Sequence, residues 1–379
     1  MSESPSANRR ALARTCGQIV VGGFEGTALT PTFARALIAG ERGGAILFGR
    51  NLTGDPMQCA ELTGLVAANS SLELPPLVAI DQEGGRVARL KAPVLELPPM
   101  ETFGRMASRE GARPGTRPKA VDLARSAARA LGSQLAALGM TMNFAPVLDV
   151  NARADNPVIG DRAFGDEPGV VAELGLAWAS GLREGGVLAC GKHFPGHGDT
   201  TKDSHFDLPV VERANVAALE TDLEPFRRVG PSIAAFMTAH VLYPCLDPDR
   251  PATLSSNALA IARDALGPSG CIVSDDLEMR ALADRWSIEE AAVLAIEAGC
   301  DALLVCKSEE LQERAVAGLA ARASADGAFR ARVEEARERF VAMRRQVSPR
   351  SVKTRAAFDL ASAGARDVAT RIAVAMEER

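Results

Sequence analysis

The chain of 379 residues has only four histidines, at 193, 197, 205 and 240, and three of them lie in one string, GKHFPGHGDTTKDSH. Histidines placed for packing would scatter. A cluster is what proton transfer near neutral pH calls for. His193 and His197 have the i, i+4 spacing of helical zinc ligands, but Pro195 and Gly196 between them exclude a regular helix, so no metal is expected. Asp203 and His205 sit two apart, where an extended or turning backbone lets the carboxylate reach an imidazole nitrogen and fix its tautomer. That pair reads as a proton-transfer dyad. A serine or cysteine triad is not expected, because Ser204 lies between the dyad members, no GxSxG elbow occurs, and no cysteine stands beside a helix start.

A second set of reactive groups is the adjacent pair Asp275 and Asp276, closing the apolar run Cys271-Ile-Val-Ser. Successive residues on a strand point to opposite faces, so at most one of the two is expected to face inward while the other orients or caps. One carboxylate aimed into a polar pocket, with a separate proton donor on a loop, fits double-displacement glycoside cleavage.

Such groups must be carried by elements that bring them together. Short apolar runs alternate with longer amphipathic stretches, the pattern of repeated βα units around a parallel sheet. Strands are predicted near 18–21, 45–48, 77–80, 141–145, 187–190, 233–238, 271–274 and 302–306, eight in all, which can close a (β/α)8 TIM-type barrel. Chemistry in that fold sits at the carboxyl ends of the strands. Five consecutive strands run there into ionisable groups: Asp81 and Glu83, Asp149, Lys192 and His193, His240, and Asp275 with Asp276. A helix is predicted over about 120–138, another at 291–298 ending on Gly299, and a long irregular loop over 91–119, where Pro93, Pro98, Pro99, Pro114 and Pro118 fall. Past the last strand, Phe329, Val333, Ala336, Phe340, Met343 and Val347 step by four and three. This amphipathic helix is expected to pack on the barrel with Arg330, Arg332, Glu334, Glu335 and Arg337 solvated. The tail after Pro349 reads as one more helix. The chain thus divides into an N-terminal segment (1–15), one catalytic barrel (16–325) and a C-terminal helical extension (326–379), with no second domain.

Hydrophobic residues at 47% and charged residues at 24% exclude a disordered or fibrous chain. With 43 basic and 48 acidic side chains the net charge is −5, so no global basic field would draw nucleic acid or an anionic membrane. The opening residues lead into no apolar core with a cleavage site, and no later stretch is long and apolar enough to span a bilayer, so a cytoplasmic location is expected. Seven scattered cysteines without a CxxC pair read as reduced core thiols, Cys300 and Cys306 included.

The strings DQEGGRVARL (81–90), NPVIGDRAFG (156–165), KHFPGHGDTTKDSH (192–205), MTAHVLYPCLDPDRPATLS (237–255) and IVSDDLEM (272–279), in this order from about residue 16 to 307, resemble the bacterial β-N-acetylglucosaminidases of glycoside hydrolase family 3. The resemblance implies that Asp275 is the nucleophile and that Asp203 with His205 is the acid/base dyad. It further implies sugar contacts from Asp81, Arg89, Arg162, Lys192 and His193, no cofactor, and a small carbohydrate partner. Enzymes of this kind release N-acetylglucosamine from muropeptide fragments during cell-wall recycling. Larger members append a second domain that helps build the site, for which this chain has no residues. Arg86 is either a ligand contact or an ion pair with Glu83 or another rim carboxylate. His240 either orients the nucleophile or caps its strand. His197 is expected to shape its loop, and Asp149 and Asp276 to give structural support.

Three rival readings are a β-glucosidase or β-xylosidase, a phosphorylase using phosphate in place of water, and a silent sugar-binding barrel on a widely reused fold. The DSH dyad favours the hexosaminidase branch over the first, and intact Asp203, His205 and Asp275 argue against the last.

Overall fold

Runs such as Leu77–Ile80 and Ala302–Val305 are apolar from end to end, as strands covered on both faces must be, and they are buried throughout. The computed structural model of the chain describes residues 5–71, 73–111, 118–153, 155–200, 204, 207–347 and 354–377. Among them, eight parallel strands close a barrel: β1 (Val20–Gly22), β2 (Gly44–Leu47), β3 (Leu77–Ile80), β4 (Met142–Asn143), β5 (Leu188–Phe194), β6 (Ala235–Thr238), β7 (Cys271–Asp276) and β8 (Ala302–Val305). Each pairs with its neighbours in sequence order, and β8 closes onto β1 through Val20–Leu303, Val21–Leu304 and Gly22–Val305. All eight predicted strands are present, with ends shifted by a few residues. Lys192 and His193, expected to follow the fifth strand, lie inside it.

Inward residues from alternating strand positions fill the barrel, among them Val21, Ile46, Ala79, Phe144, Cys190, Met237, Val273 and Leu304. Phe340 and Met343, from the helix Gly327–Arg344, join the same cluster and stopper the barrel at the end where the strands begin. The apolar stripe read from the sequence therefore docks as expected. Its charged face does not behave as expected throughout. Arg332 reaches Asp301 at 2.9 Å, where Arg339 at 3.3 Å and Arg263 also converge on a fully buried carboxylate. Burying a carboxylate costs heavily unless cations meet it, and helix residues seven apart share the stripe that delivers two of them.

Outside the barrel, the helix Pro118–Ala137 packs along Pro168–Gly185. The tail past 349 forms two helices in place of one, Arg355–Ala361 and Ala365–Glu377, both resting on Pro118–Ala137. A short antiparallel hairpin of Gln82–Gly84 and Val87–Ala88 follows β3; of the irregular loop expected over 91–119, Glu101–Glu110 is instead a helix, and 112–117, with Pro114, lie outside the described residues. Six of the seven cysteines are buried and all are free thiols.

Candidate active site

The hairpin after β3 sets the first two acids. Gln82 points away from the cavity and into its own hairpin, giving its amide N–H to Leu90 O and taking N–H bonds from Arg89 and Leu90, while Asn143 on β4 grips both its backbone groups. With Gln82 pinned, its neighbours Asp81 and Glu83 project together on the other side, as the two-residue period of an extended chain requires. Lys192 from β5 bridges them, its Nζ lying 2.7 Å from Asp81 Oδ1 and 2.6 Å from Glu83 Oε1. Arg162, from a short 3-10 turn, completes the pairing by gripping Glu83 bidentately at 2.9 Å on each oxygen. Arg89 approaches Asp81 at 3.5 Å. Burial alone would neutralise Glu83 and Lys192. The mutual attraction reverses this: Glu83 is held well below the usual carboxylate range by Arg162 and Lys192, and Lys192 is pushed above its ordinary value by Asp81 and Glu83.

Two strands then break the alternation of their side chains. In β5, the four residues from Gly191 to Phe194 oppose three from Phe236 to Thr238, and in β7, the four from Val273 to Asp276 oppose three from Ala302 to Leu304. Each is a bulge, which re-aims side chains beside a site. As a result Lys192 and His193 line one cavity together, and so do Asp275 and Asp276. The expectation that at most one of the two aspartates faces inward is thereby corrected, because it assumed a regular strand. Burial raises the pKa of Asp275, but the charges of His240, His193 and Lys192 and the N–H of Asp276 outweigh it, so its carboxyl is held below the usual range. Asp276 goes the other way, to about 7, through burial and the negative charges of Glu278 and Asp275.

Beneath the loop after β5, fully buried Asp149 accepts a bond from His193 Nδ1 at 2.7 Å and from the backbone N–H of His197 at 2.7 Å, fixing the His193 ring. His197 spans its loop, with Nδ1 2.7 Å from Thr200 Oγ1 and Nε2 3.1 Å from Ser204 Oγ. Both ring nitrogens are thus engaged by hydroxyls. Gly198 lies against the carbonyl of Val150 with no room for a Cβ, which draws the loop down over the barrel.

Asp81, Arg89, Arg162, Lys192, His193 and Asp275 all line this cavity of about 190 Å³ at the carboxyl ends of the strands, with Phe48, Phe144, Met237, Met279, Leu304 and Cys306 as apolar walls. Asp203 and His205 lie outside the described residues; Ser204 between them lines the cavity. Arg86 instead pairs with Asp161 at 3.2 Å and donates to the carbonyls of Val158 and Ile159, holding the rim. His240 lies with Nε2 2.9 Å from the carbonyl of Asp276, to which it donates. Glu83, expected only as a strand-end acid and a rim partner for Arg86, sits within the site, and its position two residues from Asp81 was the signal for that.

Residues 17–343 match the family described as "Glycosyl hydrolase family 3 N terminal domain". A β-hexosaminidase of Nitrosomonas eutropha is 42% identical over 297 residues, 78% of this chain and 82% of that protein. A glycoside hydrolase family 3 β-N-acetylglucosaminidase of Paenibacillus sp. FPU-7 superposes with a TM-score of 0.82 at 36% identity, over 95% of this chain and 68% of that one. NagZ of Neisseria gonorrhoeae, solved in complex with N-trifluoroacetyl-D-glucosamine, superposes with a TM-score of 0.77 at 33% identity, over 95% and 97% of the two chains.

Proposed function

The chain belongs to glycosyl hydrolase family 3, and we propose that it is a retaining β-N-acetylglucosaminidase working through a covalent glycosyl-aspartate on Asp275. It is a glycoside hydrolase of the β-hexosaminidase kind. The observation that carries the finer reading is the pair at the end of β7. One carboxylate is kept anionic by His240, His193 and Lys192 in a cavity, as a nucleophile must be, while its neighbour is pushed toward the neutral form.

Hydroxyls of a bound pyranose take hydrogen bonds from Lys192, Arg162 and Arg89 and give them to Asp81, and charged groups of this kind discriminate steeply when a partner is missing. An oxygen of Asp275 bonds to C1 as the bond from C1 to the leaving oxygen breaks. The imidazolium of His205, oriented by Asp203, gives that oxygen its proton. Neutral His205 then takes a proton from water, the water oxygen bonds to C1, and the aspartate is released. The natural substrate we propose is an N-acetylglucosaminyl muropeptide fragment in the cytoplasm. The sugar analogue bound by the N. gonorrhoeae relative supports the choice of sugar. No helix among the described residues is long and apolar enough to cross a membrane.

A panel of nitrophenyl glycosides tests this reading. Release from the β-N-acetylglucosaminide should exceed release from the glucoside and xyloside, and product analysis in phosphate buffer should give free sugar and no sugar phosphate. The His205→Ala variant should slow substrates with poor leaving groups more than activated aryl ones, which need less protonation. Equal losses on both would reduce His205 to a structural role.

A further inference from the structure

The cavity has two unlike sides. From β3 to β5 it presents the ion-paired set Asp81, Glu83, Arg162 and Lys192, suited to hydroxyls. From β6 to β8 it presents Met237, Met279, Leu304 and Cys306, with Asp275 and Asp276 as the acids. Asp275 is used as the nucleophile. Asp276 is not used, yet the bulge in β7 turns it inward as well. Its Oδ1 accepts two backbone N–H bonds, from Glu278 and from Cys306, both at 3.1 Å. Its backbone oxygen accepts from Met279 N at 3.0 Å and from His240 Nε2 at 2.9 Å. Strand, turn and β8 are thus tied to every acceptor of this residue except Oδ2, which no described residue meets.

We propose that Asp276 recognises the acetamido group of the sugar: its Oδ2, as a carboxyl O–H, donates to the acetamido carbonyl oxygen while the acetamido methyl packs on Met279, Leu304 and Cys306. This rests on the N-acetylglucosaminidase reading. The placement follows from covalent geometry. Asp275 and Asp276 have α-carbons about 3.8 Å apart, and the acetamido group stands on the carbon next to C1. The proton is available because burial, Glu278 and Asp275 raise the carboxyl to about 7, against the two N–H bonds. The groups facing it are Asp275 and Glu278 on its own segment, His240 after β6, and Cys306 after β8. Arg50 stands behind Cys306, bonded to its carbonyl. An amide substituent has one strong acceptor and one methyl, and a neutral donor in an apolar wall complements both. A carboxylate there would repel the carbonyl.

Asp276→Asn and Asp276→Ala separate the possibilities. Asparagine keeps the acceptor for the N–H groups of Glu278 and Cys306 and donates at every pH. We expect D276A to fall about 10- to 100-fold below D276N in kcat/KM on the nitrophenyl N-acetylglucosaminide, and by no more than about threefold on the glucoside. With N-acetylglucosamine as a competitive inhibitor, the inhibition constant of the native enzyme should rise about tenfold relative to that of D276N between pH 6 and 8.5. Equal losses of D276A on both sugars overturn the assignment, and a ratio flat in pH overturns it even if D276A proves too unstable to assay. A native enzyme that does not cleave the N-acetylglucosaminide at all would overturn the functional reading beneath it, and this inference with it.

Discussion

At the end where the strands begin, Arg344 is buried with no carboxylate beside it among the described residues. It donates to the carbonyl of Gly43 and to Gln18 Oε1 at 2.8 Å, lies over the Phe340 ring, and is lowered by burial to about 9. At the other end Lys192 is equally buried but is raised above its ordinary value, because Asp81 and Glu83 meet it. One buried cation is spent on backbone and amide oxygens that close the barrel. The other belongs to a paired set lining a cavity, where each acid and base keeps its charge and some of their hydrogen-bonding capacity faces open space. The same fold thus separates shape from chemistry along its axis.

The largest test of that separation is Asp275→Ala. Its carboxylate lines the cavity and accepts a bond from its neighbour's N–H at 2.8 Å, so little of the core depends on it. Turnover of the nitrophenyl N-acetylglucosaminide should fall by about 10⁴-fold or more, while the melting temperature moves by no more than a few degrees. Near-normal turnover would remove Asp275 from the mechanism. The opposite rim should give the opposite result. Arg344→Met keeps much of the side chain's length but leaves Gln18 Oε1 unpaired and takes one of two donors from Gly43 O, which the Leu77 N–H still meets, a cost of about 1–3 kcal/mol. Denaturant unfolding should register that loss, with kcat/KM of the folded fraction within about twofold of native, since the rim without catalytic loops serves stability. A parallel loss of kcat/KM would mean that the stopper reaches the site.

Strands in a closed parallel barrel are covered on both faces, so β3, β7 and β8 read as continuous apolar runs and were legible without the structure. The residues at their carboxyl ends were legible in type, as acids and bases. Which way those side chains turn was not, because a bulge is a property of two strands in register, and nothing in Ser274-Asp275-Asp276 alone reveals that β8 offers one residue fewer. Alternation therefore failed at Asp276 and at the Lys192–His193 step, the two places where bulges serve the cavity. Glu83 was legible as a rim acid but not as part of the site, although the same alternation, intact in the hairpin, pairs it with Asp81. Asp301 was missed because its three arginines come from elements far apart in the chain, at 263, 332 and 339.

The finest distinction concerns His197, which lines the cavity but has both ring nitrogens engaged by Thr200 and Ser204 of its own loop. Burial, and then the charge of His193, lower it to about 4, with Asp149 and Asp275 opposing. Because that is below the ordinary imidazole value near 6.5, the unfolded chain binds more protons between the two. The stabilisation is complete above about 6.5 and drains away as pH falls toward 4. Depressed carboxylates such as Glu83 and Asp149 lose theirs only at lower pH, so they leave this window clear. Asp276 does not. Its raised carboxyl gives stability that grows as pH falls through about 7, opposite in sign to His197 and masking it. The comparison is therefore made with Asp276→Asn in place. Between pH 7 and 5 the melting temperature of D276N should fall several degrees further than that of D276N/H197Q, in which a neutral amide keeps a donor and an acceptor for the two hydroxyls. Equal slopes in the two proteins would mean that His197 does not stay neutral over that range.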